Sequence, residues 1–136
     1  MKKYRGIIGL FFNVPTLVLF LAMSNASFAQ VMDISQSELM QRIKADHAQL
    51  ILDVRSPKEY KDGHIPGAIN IPHDQLISRL VEIGSYKSKD VVLYCWSGGR
   101  VITAVNILQS AGFHKLLHLD GDMRGWLNNR KLPVVK

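Results

Sequence analysis

Along residues 30–136, apolar side chains fall alternately into short runs of four or five and into stretches where they recur every three or four positions. The first spacing predicts strands and the second amphipathic helices. Residues 35–45 read as a helix: Ser35 and Glu38 stand at capping-box spacing, and Leu39 and Ile43 share one face. Residues 50–54 form an apolar run of strand length, ended by Arg55-Ser56-Pro57. One helical turn over 57–61 has proline at its first position, Gly63 to Gly67 read as a turn, and 68–71 as a further strand. Leu76, Ile77, Leu80, Val81 and Ile83 predict a helix over 74–83 capped by Gly84.

Val91-Val92-Leu93-Tyr94 predicts a strand with too little polarity to face water, and Cys95 follows it directly. The loop Trp96-Ser97-Gly98-Gly99-Arg100 leads into a helix over 101–110, with Val101, Ile102, Val105 and Leu108 on its apolar side and Gly112 after it. A strand over 115–119 and a short helix over 123–129 complete the pattern. Strands alternating with helices predict an α/β domain whose parallel sheet is covered on both faces. Working sites of such sheets lie beyond the carboxyl ends of the strands, where Cys95 falls.

The first 29 residues are of another kind. Lys2, Lys3 and Arg5 precede an uncharged stretch over 6–23, and Ser27-Phe28-Ala29 has the small-x-small form of a cleavage site. That order predicts a secretory signal cut after Ala29; an uncleaved anchor is the alternative, since 18 residues is close to the shortest span of a bilayer. The net charge of +6 on 136 residues then falls to +3 on a mature single domain of residues 30–136, with no basic run interleaved with aromatics. Nucleic acid is accordingly not an expected partner, nor is stable membrane association after cleavage.

Export changes the meaning of the one cysteine. Without a second cysteine Cys95 cannot form an internal disulfide, which leaves a buried inert thiol, an intermolecular bridge or a reactive nucleophile. Its neighbours favour the last. A strand end followed by a glycine-bearing loop and a helix start surrounds the sulfur with unpaired backbone N–H groups and a positive helix end, and Arg100 adds a full charge. These groups favour thiolate, and Gly98 and Gly99 supply the backbone freedom a loop wrapped around one sulfur requires. Asp53 and Arg55, at a neighbouring strand end, either line the pocket or brace the sheet as an ion pair. Arg124, after the last strand, either adds positive potential or is plain surface. His114 and His118 stand four apart, but in a strand, which removes the common helical face a metal pair needs.

Asp53-Val54-Arg55-Ser56-Pro57-Lys58-Glu59-Tyr60, Gly63-His64-Ile65-Pro66-Gly67-Ala68-Ile69-Asn70-Ile71-Pro72 and Cys95-Trp96-Ser97-Gly98-Gly99-Arg100, with Gly121 and Trp126 behind them, closely resemble the rhodanese-like single-domain sulfurtransferases. With the signal segment, the chain looks most like the small periplasmic thiosulfate sulfurtransferases of bacteria. The resemblance implies a three-layer α/β fold with a five-stranded parallel core sheet, working without metal or organic cofactor; a monomer is the separate expectation for the mature chain. It implies Cys95 as nucleophile and persulfide carrier, the amides from Trp96 to Arg100 as anion holders, and Arg100 as the group orienting thiosulfate. A thiophilic acceptor, cyanide in the family's assay reaction, would then take the sulfur. Val101 stands where many members have serine, which removes a hydroxyl at the helix start. Two alternatives remain: a persulfide carrier or binding module without turnover, and a cysteine phosphatase or arsenate reductase. The latter use five residues between cysteine and arginine where this chain has four.

Overall fold

The computed structural model describes residues 30–47 and 49–136; the signal segment read in the sequence lies outside the described residues. Five parallel strands form one sheet: β1 (Met32–Ile34), β2 (Leu50–Asp53), β3 (Ile69–Asn70), β4 (Val91–Tyr94) and β5 (Leu116–Leu119), in the order β1-β5-β4-β2-β3. β1 has no counterpart in the sequence pattern. It is three residues long with only Ile34 buried, so neither a run nor an alternation marks it.

The period of two along each strand sends side chains to opposite faces and builds two cores. Leu50, Leu52, Val54, Val91 and Leu93 pack on one side against α4 (Gly99–Ser110), which presents Val101, Ala104, Val105 and Leu108. Ile102, expected on that inward face, is exposed, and Ala104 takes its place one helical turn from Val101 and Leu108. Ile51, Val92, Tyr94, Leu117 and Leu119 pack on the other side against Leu39 of α1 (Gln36–Lys44) and Met123 and Trp126 of α5 (Asp122–Asn128). Helices on both faces make the three-layer α/β arrangement.

Local caps explain the ends. Ser35 Oγ accepts from Glu38 N–H at the head of α1, but the Glu38 carboxylate turns to Arg42 instead of closing the box. The reciprocal capping box stands at α2 (Pro57–Asp62), where Ser56 and Glu59 satisfy each other's backbone N–H. The helix expected over 74–83 divides into α3 (Leu76–Arg79) and a 3-10 segment, Leu80–Tyr86, that runs through Gly84. No side chain caps its start, and Ile77 and Val81 point to solvent, so only Leu76 and Ile83 tie it fully into the core. Beyond α5 the chain returns across the surface: Trp126 Nε1 donates to Pro133 O at 2.9 Å, and His64 and Val135 exchange backbone hydrogen bonds.

Candidate active site around Cys95

β4 sits in the middle of the sheet, between β5 and β2, and Cys95 is the first residue past its carboxyl end. The residue is almost wholly buried. Gly98 takes φ +98°, a left-handed conformation that turns its N–H back so that it donates to Cys95 Sγ at 3.0 Å. Gly99 does not share that need: it is the first residue of α4, and a Cβ there would meet nothing within 4 Å. One glycine, not two, shapes the loop. Among the described residues, the amides of Trp96, Ser97, Gly99 and Arg100 donate to no other group, leaving four donors at the start of a twelve-residue helix.

Arg100 is engaged rather than free. Its Nη1 and Nη2 donate to Glu59 Oε2 and Oε1 at 2.7 and 2.8 Å, a two-point pairing that joins α4 to the capping box of α2. Those bonds, with the Glu59 charge and Cys95 beside it, raise the Arg100 guanidinium above its ordinary value. The same bonds, supported by Ser56, hold the Glu59 carboxyl down to about 2 against the opposing effect of burial. Glu59 has a place here that the motif alone did not announce. The Ser56-x-x-Glu59 spacing was the available signal for its cap, while its partner lies 41 residues away.

Asp53 and Arg55 project from the end of β2 on the face shared with Tyr94. Arg55 Nη2 donates to Asp53 Oδ2 at 2.6 Å and to Gly63 O at 2.8 Å, and the guanidinium lies 5.5 Å from the Tyr94 ring centre. Both side chains are buried, 0% and 4% exposed. The pair braces the strand end, and Asp53 presents no free carboxylate to a pocket. Burial, with Asp53 nearby, pushes the Tyr94 phenol far up. Arg124 is exposed and forms no ion pair among the described residues, though its backbone N–H donates to Trp96 O at 3.2 Å.

Two residues outside the expected set complete the surroundings. The buried Asp122 carboxylate accepts from Cys95 N–H at 2.8 Å and lies 3.0 Å from His118 Nε2. Nothing in the sequence singles out Asp122, because the sequence does not display a backbone conformation. Beside the loop, a cleft of about 480 Å³ is walled by Trp96, Leu127 and Val134, with Arg55, Glu59 and Lys136 at its polar parts. Among the described residues no helix is long and apolar enough to cross a membrane.

A family model for the rhodanese-like domain matches residues 35–129, which takes in every element from the cap of α1 to α5. The chain belongs to the rhodanese-like domain family. Within that family it is similar to a sulfurtransferase of Allochromatium vinosum, 35% identical over 105 residues that make up 77% of this chain and 95% of the relative. A putative sulfur carrier protein of Bacillus subtilis is 30% identical over 103 residues, 76% of this chain and 55% of that one. Among solved structures, a rhodanese-related protein from Thermoplasma volcanium superposes with a TM-score of 0.65 at 30% identity, covering 76% of this chain and 97% of its own. The rhodanese-like domain of an Anabaena protein gives 0.67 at 32%, covering 78% and 80%. The rhodanese-like fold and the sulfurtransferase kind of relative are therefore shared, and the five parallel strands agree with them.

Proposed function

We propose that this domain is a thiosulfate sulfurtransferase in which Cys95 carries the sulfur. The observation that supports the reading most directly is the position of Cys95 Sγ at the head of α4, where it accepts from Gly98 N–H beside four further amides without partners. A thiolate there attacks the outer sulfur of thiosulfate. The new S–S bond forms as the bond to the sulfonate sulfur breaks, and its electron pair leaves with sulfite. Cys95 is then a persulfide anion, held by the same amides. An acceptor such as cyanide or a thiolate attacks the terminal sulfur, the S–S bond breaks, and the Cys95 thiolate returns. Two half-reactions on one nucleophile give ping-pong kinetics. Glu59 takes two of the five N–H donors of Arg100, and the guanidinium also lies against Cys95, so in this reading it fixes the loop, lends positive potential and keeps donors for the anionic substrate. The cleft beside Trp96 offers an entry for an organic acceptor.

The proposal places the domain in the periplasm as a monomer, released by cleavage after Ala29. Intact-mass measurement of the exported protein tests both parts. The expected starting mass is that of residues 30–136, which gains one sulfur with thiosulfate and loses it to cyanide, whereas Cys95→Ser keeps its fold and never gains the sulfur. The Bacillus subtilis relative favours a second reading, a carrier loaded by another protein. A mass that stays constant with thiosulfate but rises with a persulfidated protein donor would decide for it.

A further inference from the structure

The loop that carries Cys95 is held from behind by a residue in an uncommon conformation. Asp122 has φ +52°, a region that non-glycine residues seldom enter, and its side chain is 5% exposed. Such strain persists where the surroundings over-determine it. Here the two carboxylate oxygens have different partners: Oδ1 accepts from Cys95 N–H at 2.8 Å, and Oδ2 lies 3.0 Å from His118 Nε2. The pair also packs on Gly98, the residue whose N–H binds the sulfur. A Cβ built there would lie 3.3 Å from Asp122 Oδ2 and 3.5 Å from His118 Cε1.

A carboxylate behind a sulfur that works as an anion opposes that work unless a cation neutralises it. His118 is the cation at hand. Its hydrogen bond to Asp122, with the charges of Asp122, Asp33 and Asp120, raises the imidazole above its ordinary value, against the effect of burial. Asp33 approaches from β1, with Oδ1 3.9 Å from His118 Nδ1, and Asp120 lies between β5 and α5. The Arg100 guanidinium, paired with Glu59, lies beside Cys95 but has no bond to Asp122.

We propose that Asp122 and His118 are a positioning pair that fixes the Cys95 loop and sets its charge: with His118 protonated the pair is neutral and the loop accepts an anionic donor, and with His118 neutral the bare Asp122 charge repels it. The proposal rests on Cys95 as the sulfur-transfer nucleophile, but its effect on the potential at the sulfur is readable without any sulfur donor. Neither residue touches the reacting atoms.

Cys95 is the only cysteine, so alkylation of the purified protein reports on it alone. Iodoacetate is an anion and iodoacetamide is neutral, and both need the thiolate. The ratio of their rates therefore cancels the thiolate fraction and reads the local potential. Between about pH 5.5 and about pH 9 the iodoacetate:iodoacetamide ratio should fall at least about fivefold in the unmodified protein, the order expected for one unit charge lost about 4 Å away in bulk water or about 8 Å away at an effective dielectric constant of about 40. His118→Gln keeps a donor for Asp122 without a titration, and its ratio should stay flat at the low alkaline value. Asp122→Asn, a residue that tolerates the left-handed backbone, should keep a high ratio at alkaline pH, with any remaining step moved to lower pH. A flat ratio in the unmodified protein, or an unchanged step in His118→Gln, would overturn the pair. Failure of thiosulfate to load Cys95 while the step survives would instead sink the sulfurtransferase reading and leave the pair standing.

Discussion

Replacing Gly98 and Gly99 one at a time by alanine should move stability in opposite directions. Gly98 has φ +98°, and an L side chain held in a left-handed conformation costs roughly 1–2 kcal/mol. The new methyl would also stand 3.3 Å from Asp122 Oδ2. That oxygen cannot retreat freely, since its carboxylate is fixed by Cys95 N–H and His118 at 2.8 and 3.0 Å, so crowding adds about 1 kcal/mol. A total of about 2–3 kcal/mol corresponds to a fall in Tm of roughly 10–20 °C for a domain of this size. Gly99 has ordinary helical backbone and open space around it, so alanine there should add about 0.5 kcal/mol. Thermal and urea denaturation of the two variants measures both numbers, and alkylation of Cys95 reports whether the Gly98 N–H still reaches the sulfur. Equal losses at the two positions, or a neutral Gly98→Ala, would refute the assignment of the loop's shape to Gly98.

Two further outcomes follow from the ion pairs. The Glu59 carboxyl is held at about 2, below its unfolded value of 4.5, so its pairing with Arg100 contributes stability above that unfolded value and loses it as pH falls towards 2. Glu59→Gln keeps the cap but not the charge; it should be less stable at neutral pH by up to about 1 kcal/mol, with the gap closing near about pH 2 in urea titrations. A gap independent of pH would deny the charge its part. Arg55→Met leaves the Asp53 carboxylate buried without its partner and should cost about 3–5 kcal/mol in chemical denaturation, whereas a loss below about 1 kcal/mol would show that water or a neighbour replaces the guanidinium.

The parts of this fold that announce themselves in the sequence are those where one residue type meets one local need. Val91–Tyr94 is apolar on both faces because both are covered, and Gly112, at φ +87°, ends α4 where a helix needs a left-handed residue. The placing of Cys95 is equally plain, since an apolar run and a glycine-bearing loop on either side of it mark a strand end and a helix start. What stays hidden depends on partners far along the chain or on backbone angles. Glu59 meets Arg100 across 41 residues, and Asp122 looks like any acidic helix start until its positive φ and its bond to Cys95 N–H are seen. The segment after Asp74 misleads in another way. Its apolar spacing is helical, yet Ile77 and Val81 find no core, and the chain tightens into 3-10 geometry.

The two outermost strands, β1 and β3, are three and two residues long, and both flank longer strands. An open sheet invites pairing with foreign strands in proportion to the backbone its edges leave unpaired, and these edges leave little. A domain closed off in this way can be spliced beside unrelated domains without its sheet growing into theirs. Such portability agrees with a Bacillus subtilis relative in which the similar region makes up 55% of the length, and it makes this chain a candidate for fusion to other proteins without aggregation through its sheet.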